Sequence, residues 1–413
     1  MPIESLLIAN RGEIAIRIAR AAAELGMRSV AIYSEDDARS LHILRADDAR
    51  PLPGPGPAAY LDAEQIIAAA LESGCDAVHP GYGFLSENAS FARRCADAGL
   101  TFVGPRVELL ELFGDKGQAR VFAARLGIPV LSGTDIATSL EDARAFFAAL
   151  PSGRSMMIKA LAGGGGRGMR LVSRAEDVDD AYARCRSEAL SAFGVADVYV
   201  EEALPEARHI EVQIAGDGSG EVTHLWERDC TLQRRHQKLV EMAPSPALSP
   251  ELRDKIIAAA VRMARECRFD NIGTFEFLVD ASGAPAARFF FIEANPRLQV
   301  EHTITEEITG IDLVAAQLRL AGGASLADIG LAQADVPPPR GFAMQLRINM
   351  ETYAGDGSPR PSGGTITAFE PPSGPGVRLD TFAYAGYTTS SAFDSLLAKL
   401  IVHAPSGGFA ACV

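Results

Sequence analysis

The chain has 413 residues, more than one hydrophobic core organises, so two or three domains are expected. It carries 39 basic and 53 acidic residues, a net charge of −14, which repels a phosphate backbone and excludes nucleic acid as a main partner. No apolar stretch reaches the length of a membrane span, and the start, Met1-Pro2-Ile3-Glu4, lacks a secretion signal, so the expectation is a cytoplasmic protein with no membrane partner.

Taken in chain order, Ser5 to Ala9 predicts a short buried strand. From Gly12 the period turns helical, with Ile14, Ile18, Ala22 and Leu25 on one face and Gly26 as the stop. Val30 to Tyr33 is the next strand, Pro51 to Pro57 a rigid loop, and a helix carrying Ile66, Ile67 and Leu71 leads to a strand at Ala77-Val78. Strands alternating with helices predict a parallel α/β sheet. A helix over Gln118 to Leu126 is stopped by Gly127 and Pro129. Met156 to Ala160 and Met169 to Val172 are strands flanking Gly163-Gly164-Gly165-Gly166-Arg167-Gly168, which makes a small mobile lobe. A larger α+β unit runs from about 198 to 320, Pro337-Pro338-Pro339 is a linker, and a β-rich unit starts at Phe342. No internal repeat is present. Six cysteines at 75, 95, 185, 230, 267 and 412 have no zinc spacing and read as reduced thiols, with only Cys230 beside the chemistry considered next.

Four features can carry chemistry. The glycine run lies between strands and follows Lys159, so it is not a P-loop; it suits either an ordinary hairpin or a lid closing over a triphosphate. The strand Gly273 to Val279 and the strand Arg288 to Ile292, joined by the turn residues Asp280 to Pro285, form a hairpin that sets Glu276 opposite Glu293. Two such carboxylates either pair with cations or share a divalent metal, and oxygen donors beside a triphosphate select Mg²⁺; Asn295, two residues past Glu293, would be a third ligand. The run Glu227 to Lys238 gathers cations in an acidic chain, as a solvated face or as an anion site. The segment Glu293-Ala294-Asn295-Pro296-Arg297-Leu298-Gln299-Val300-Glu301-His302 is either a capping loop before a helix or a place where Arg297 and Gln299 hold a small oxyanion and Glu301 takes its proton.

At these residues the chain resembles the biotin carboxylases. Ala9-Asn10-Arg11-Gly12-Glu13-Ile14-Ala15, His79-Pro80-Gly81-Tyr82-Gly83-Phe84-Leu85-Ser86-Glu87-Asn88, the run Glu227 to Lys238 and Gln299-Val300-Glu301-His302 are long, specific and in the right order. The resemblance implies a multidomain α/β and α+β fold: a Rossmann-like N-terminal domain (1–114), an ATP-grasp central domain (115–330) with a glycine-rich lid over about 132–203, and a β-rich C-terminal domain (340–413). It implies an ATP-dependent ligase that carboxylates biotin with bicarbonate. Lys116, Lys159, Gly165 and Gly166 would contact ATP phosphates. Glu201, Glu202 and Leu204 would hold adenine, with His209, Gln233 and His236 lining the nucleotide site. Glu276, Glu293 and Asn295 would hold Mg²⁺ (or Mn²⁺). Lys238, Arg297, Gln299 and Val300 would bind bicarbonate, Glu301 would be the base, and Arg347 would stabilise the biotin anion.

The implied partners are a biotin carboxyl carrier domain, a carboxyltransferase and a second copy of the chain. Pro296 and the sequence Arg347-Ile348-Asn349-Met350-Glu351-Thr352 look like the large single-chain acyl-CoA carboxylases of fatty acid metabolism, and Ala162 replaces a usual lid glycine. Relatives continue past the equivalent of Val413, so the C-terminal domain is expected to be incomplete, with the carrier on another chain or on a lost segment. Two other readings remain at this point: an ATP-grasp ligase that activates a different acid as an acyl phosphate, and an inactive truncated fragment.

Overall fold

The computed structural model describes residues 2–161, 168–282, 288–355, 358–406 and 408–413, with Phe193 described by its backbone only. The expected lid glycines, Gly165 and Gly166 among them, and the far side of the 280–285 turn lie outside the described residues.

The N-terminal region is a five-stranded parallel sheet of β1 (Ser5–Ile8), β2 (Arg28–Tyr33), β3 (Asp48–Pro51), β4 (Ala77–His79) and β5 (Thr101–Phe102), in the order β3-β2-β1-β4-β5. This is the strand order of a doubly wound sheet, as the alternation of periods predicts. Between the strands lie α1 (Gly12–Glu24), α2 (Ala63–Glu72) and α3 (Ala89–Asp97), and α4 (Val107–Gly114) follows β5. Helix α1 buries Ile14, Ile18 and Ala22 and ends at Gly26, whose φ of 71° is a left-handed conformation that glycine reaches without Cβ strain. The expected Pro51 to Pro57 loop is preceded by edge strand β3. Its sequence Asp-Ala-Arg-Pro has no apolar alternation, and only pairing with β2 makes it a strand.

Helix α5 (Lys116–Arg125) follows, capped by Asp115, whose carboxylate accepts from the Gln118 amide. The lobe beyond it contains α6 (Leu140–Ala149), β6 (Ser155–Ala160), β7 (Met169–Val172), α7 (Val178–Phe193) and β8 (Val198–Ala203), with the strands in a separate antiparallel sheet ordered β7-β6-β8.

The largest sheet is built from β9 (Ala207–Asp217), β10 (Val222–Arg234), β11 (Gln237–Ala243), β12 (Asp270–Asp280), β13 (Phe289–Asn295) and β14 (Phe342–Asn349). It is completed by two late strands, β18 (Val377–Thr381) and β20 (Leu396–Ala404), in the order β13-β12-β9-β10-β11-β14-β20-β18. The short pairs β15 (Glu351–Tyr353) with β16 (Pro359–Pro361), and β17 (Gly364–Thr365) with β19 (Thr388–Thr389), sit outside it. The C-terminal strands are therefore not a free-standing layer: β14 pairs with β11 and carries the central sheet onward.

Helices α8 (Pro250–Glu266), α9 (His302–Thr309) and α10 (Leu313–Ala321) complete the unit. Phe275, Phe277 and Phe291 are fully buried and pack edge-on against Phe113, Phe269, Phe289 and one another. At roughly 1.5–3 kcal/mol for each buried side chain, this aromatic cluster fixes the β12–β13 hairpin. In the sequence Phe275-Glu276-Phe277 the phenylalanines enter the core and the glutamate between them is sent to the other face. Among the described residues no helix is long and apolar enough to cross a membrane.

Candidate active site

The predicted hairpin forms with Glu276 directly opposite Glu293, and the ladder continues: Glu276 opposes Glu211 on β9, and Glu211 opposes Arg228 on β10. One cross-strand row thus reads Glu293, Glu276, Glu211, Arg228. Arg228 is fully buried and donates to Glu211 at 2.5 Å, to Gln213 at 2.8 Å and to Thr305 at 2.9 Å. The run Glu227 to Lys238 is divided: Glu227 to Cys230 are buried in β10, whereas Leu232 and Arg235 to Gln237 are exposed around the two-residue turn Arg235-His236, both at positive φ, that leads into β11.

Register places the next cation. Leu232 pairs with Val240 and Gln233 with Lys238, so β11 carries one extra residue at Leu239. That bulge resets the alternation and turns Lys238 toward the acidic row. Its Nζ lies 2.6 Å from Glu211, 2.7 Å from Glu301 and 3.5 Å from Glu276. Glu301 occupies the N-cap position of α9, yet its side chain makes no cap hydrogen bond. It is buried and faces Lys238 on one oxygen and Arg347, at 3.1 Å, on the other. The expected capping role is therefore absent, and the carboxylate belongs to the charge cluster.

Arg347, on β14, also donates to Glu241 at 2.6 Å, and Gln345 holds the other Glu241 oxygen at 3.0 Å. Arg297 reaches Glu87 at 3.0 Å, with further bonds to the Asn295 side chain and the Leu298 carbonyl. Gln299 is buried and donates to Thr274, and the Val300 carbonyl accepts from Lys399 at 3.2 Å. His209 bonds Glu276 through Nε2. The Gln233 amide donates both to the Cys230 carbonyl and to His209 Nδ1, which leaves the ring proton on Nε2, facing Glu276. Asn295 donates to Glu276 at 2.5 Å. Lys116, at the start of α5, lies 3.4 Å from Glu293.

Burial pushes the Glu301 carboxyl up, but Lys238, Arg347 and Arg228 outweigh it and hold it well below the usual carboxylate range. Burial likewise opposes Lys238 and His209 at Glu276, and the two cationic or donating neighbours bring it down to about 2. Burial favours the neutral form of Lys238, and the surrounding acidic groups override it, raising the ammonium well above its ordinary value. The Cys230 thiol, with Sγ 4.0 Å from Glu301, is pushed up by burial and by the neighbouring glutamates, so it is a poor nucleophile.

In the lobe, Lys159 and Glu201 form an ion pair, and Glu201 is held on its other oxygen by Arg120 at 3.1 Å. Glu202 pairs with Arg154 at 3.3 Å, and Leu204 follows the end of β8. His236, at the hairpin turn, has its pKa lowered by burial and then by the Lys159 charge.

The structure thus gathers Lys238, Glu276, Glu293, Asn295, Glu301 and Arg347 at one end of the sheet, with Lys116 and His209 beside them, while Lys159, paired with Glu201 in the lobe, acts on His236 at the hairpin turn. Sequence reasoning missed Glu211, Arg228, Glu241, Glu87, Arg120 and Lys399. Signals existed for some of them: Arg228 lies in the cationic run Glu227 to Lys238, Glu87 in the string His79 to Asn88, and His209-Ile210-Glu211-Val212-Gln213 alternates polar with apolar, which places Glu211 on the His209 face. Glu241 and Lys399 are single charges inside apolar strands, visible only once pairing is known.

The donor set suits a hard divalent cation. Glu276 and Glu293 oppose each other and offer carboxylate oxygens, and Asn295 lies alongside with its amide nitrogen on Glu276 and its oxygen on Arg297, so it would have to turn that oxygen to become a ligand. Charge balance points the same way. Among the described residues six carboxylates (Glu87, Glu211, Glu241, Glu276, Glu293, Glu301) face five cations (Lys116, Arg228, Lys238, Arg297, Arg347), a deficit that a divalent ion reverses before any anion arrives.

Comparison with known proteins adds the following. Residues 115–329 match the family model for the carbamoyl-phosphate synthase L chain, ATP binding domain, residues 2–110 that for the biotin carboxylase N-terminal domain, and residues 345–411 that for the biotin carboxylase C-terminal domain. Pyruvate carboxylase of Staphylococcus aureus is 49% identical over 410 residues, covering 98% of this chain and 35% of that protein. The chain spans about a third of the length of the curated relatives it matches. The biotin carboxylase domain dimer of Hydrogenobacter thermophilus 2-oxoglutarate carboxylase, solved with MgADP, ADP and bicarbonate, superposes with a TM-score of 0.91 at 42% identity, over 98% of this chain and 87% of that one. A single-chain, multi-domain long-chain acyl-CoA carboxylase superposes with a TM-score of 0.85 at 45% identity, over 100% of this chain and 38% of that one.

Proposed function

The chain belongs to the biotin carboxylase family, ATP-dependent ligases of the ATP-grasp fold, and from that premise we propose that it carboxylates carrier-linked biotin with ATP and bicarbonate through carboxyphosphate. The observation that carries the reading is the convergence of Lys238 and Arg347 on the buried Glu301, beside the opposed pair Glu276 and Glu293.

In this reading Lys116 and Lys159 bind the phosphates of ATP, with Gly165 and Gly166 supplying amides. Glu201, Glu202 and Leu204 border the adenine, and His209, Gln233 and His236 line the nucleotide site. Glu276, Glu293 and Asn295 hold Mg²⁺, which supplies charge neutralisation to the phosphates. Bicarbonate lies between Lys238, Arg297, Gln299 and the amide of Val300.

Without an anion, Glu301 is too tightly paired to be an effective base. Bicarbonate draws Lys238 toward itself, which loosens that pairing and raises the affinity of Glu301 for the proton. Glu301 removes the bicarbonate proton as a bicarbonate oxygen attacks the γ-phosphorus and ADP leaves. Carboxyphosphate then breaks at its carbon–oxygen bond, giving CO₂ and phosphate. The phosphate takes the proton of the biotin ureido nitrogen, and that nitrogen attacks CO₂. Arg347, fixed by Glu241, donates to the ureido oxygen as negative charge develops there.

The carrier, the carboxyltransferase and a second copy of the chain are the proposed partners; the 2-oxoglutarate carboxylase relative was solved as a domain dimer. The acceptor is chosen by the carboxyltransferase. The residues around Pro296 and Arg347 favour an acyl-CoA, as in the long-chain acyl-CoA carboxylase, and the pyruvate carboxylase relatives favour a 2-oxo acid. The biotin half-reaction is the same for both.

The test is isotopic. With ¹⁸O-labelled bicarbonate, turnover transfers one labelled oxygen to inorganic phosphate, read by mass spectrometry. Phosphate labelled only from ¹⁸O-water would mean ATP hydrolysis without carboxyphosphate.

A further inference from the structure

The hold on Lys159 points to a residue to which the proposed function assigns no role. Glu201 is 2% exposed and sits between two cations: Lys159 on Oε1 and Arg120 on Oε2. A buried carboxylate keeps its charge only while a partner remains. If Lys159 turns to a nucleotide phosphate, Glu201 depends on Arg120 alone.

Arg120 is built for that task. It rises from α5, outside the lobe, and its guanidinium is 2% exposed. The fork donates to Glu201 at 3.1 Å, to the Leu131 carbonyl at 2.7 Å and to Asp135 at 3.2 Å, and lies 5.8 Å from the Tyr199 ring centre. Three directed donors in one plane are a property of arginine that lysine lacks.

The chain segment it grips is the crossing into the lobe. The Thr134 amide donates to Val200, and the Glu202 amide to Ser132, both on β8. Gly133 makes the approach possible: a Cβ there would fall 2.6 Å from the Val200 oxygen and 3.1 Å from Arg120 Nη2. The carboxylate that restrains Lys159 is thus tied to the body of the protein by a second cation that is itself buried.

We propose that Arg120 is a positioning residue for nucleotide binding: it retains Glu201 so that Lys159 is released to the nucleotide phosphate. This rests on the reading above in which Lys159 meets that phosphate. Without Arg120, Glu201 has one cation left and holds Lys159 back.

The experiment measures MgADP and MgATP binding by calorimetry, with the KM for ATP, the KM for bicarbonate and kcat, on the whole chain. Arg120→Leu weakens nucleotide binding and raises the KM for ATP about tenfold or more, with the KM for bicarbonate and kcat at saturating ATP within about twofold. Arg120→Leu/Glu201→Gln recovers most of that loss, and the melting temperature of each variant, read alongside, separates a loss of binding from a loss of fold. Unchanged binding in Arg120→Leu, or a double variant as weak as the single, overturns the proposal. Should Arg120→Leu fail to fold, Arg120→Gln decides: nucleotide binding about tenfold weaker with kcat retained agrees, and binding equal to the parent overturns it. Lys159→Met separates the two claims, because unchanged nucleotide binding there removes the phosphate role of Lys159 itself.

Discussion

Glu301→Gln changes one oxygen to an amide in a cluster where each neighbour keeps a partner. Lys238 retains Glu211 at 2.6 Å and Glu276 at 3.5 Å, and Arg347 retains Glu241 at 2.6 Å. No cation is stranded in the interior, so the loss of stability stays within about 1–3 kcal/mol, the scale of charged hydrogen bonds rather than of an orphaned charge. The loss of function is far larger. An amide cannot accept the bicarbonate proton, and a positioned base contributes about 10²–10⁴ in rate. Bicarbonate-dependent ADP release, followed by a coupled assay, falls by that factor, while MgADP affinity by calorimetry stays within about threefold. A fall of less than tenfold refutes Glu301 as the base. A parallel collapse of nucleotide affinity refutes the claim that the site tolerates its removal.

Arg347→Ala lowers carboxylation of biotin by about 10²–10³ and leaves the biotin-independent ATPase far less affected; equal losses would make Arg347 a general organiser of the site. The Glu276 carboxyl is lowered from 4.5 to about 2, so its contribution to stability is complete above about pH 4.5 and is lost as pH falls toward 2. The melting-temperature gap between the parent and Glu276→Gln is accordingly flat from pH 8 to about pH 5 and closes below it; a gap that widens in acid contradicts the ion-pair account. Lys399 is fully buried, 3.0 Å from Glu13 and 3.8 Å from Asp380. Lys399→Met strands the buried Glu13, which keeps only the Tyr82 hydroxyl, while Asp380 retains Arg378 at 2.8 Å; it costs about 3–5 kcal/mol, part of which Lys399→Met/Glu13→Gln restores, and identical melting of the single and double variants would show that Lys399 and Glu13 do not interact.

Much of the fold was legible because the periods of the sequence are clean: α1 with Ile14 and Ile18 inward, the parallel strands, and the hairpin that sets Glu276 against Glu293. The site was legible where side chains lie on one strand or one loop, as in Arg297 to Glu301. It was not legible where strand pairing does the assembling. Glu211 meets Arg228 and Lys238 only through the order β12-β9-β10-β11, and Lys238 faces them only because Leu239 is an extra residue in the ladder. Glu241 reaches Arg347 only because β14, more than a hundred residues later, joins the central sheet at β11. Edge strand β3 escaped notice for the same reason, since its partner rather than its composition defines it.

The central claim is a bicarbonate-dependent, biotin-directed use of ATP, and ADP release from the purified chain tests it most directly. With MgATP alone the rate is low, bicarbonate raises it, and free biotin raises it again. ADP release from a folded, nucleotide-binding chain that responds to neither bicarbonate nor biotin would contradict the account.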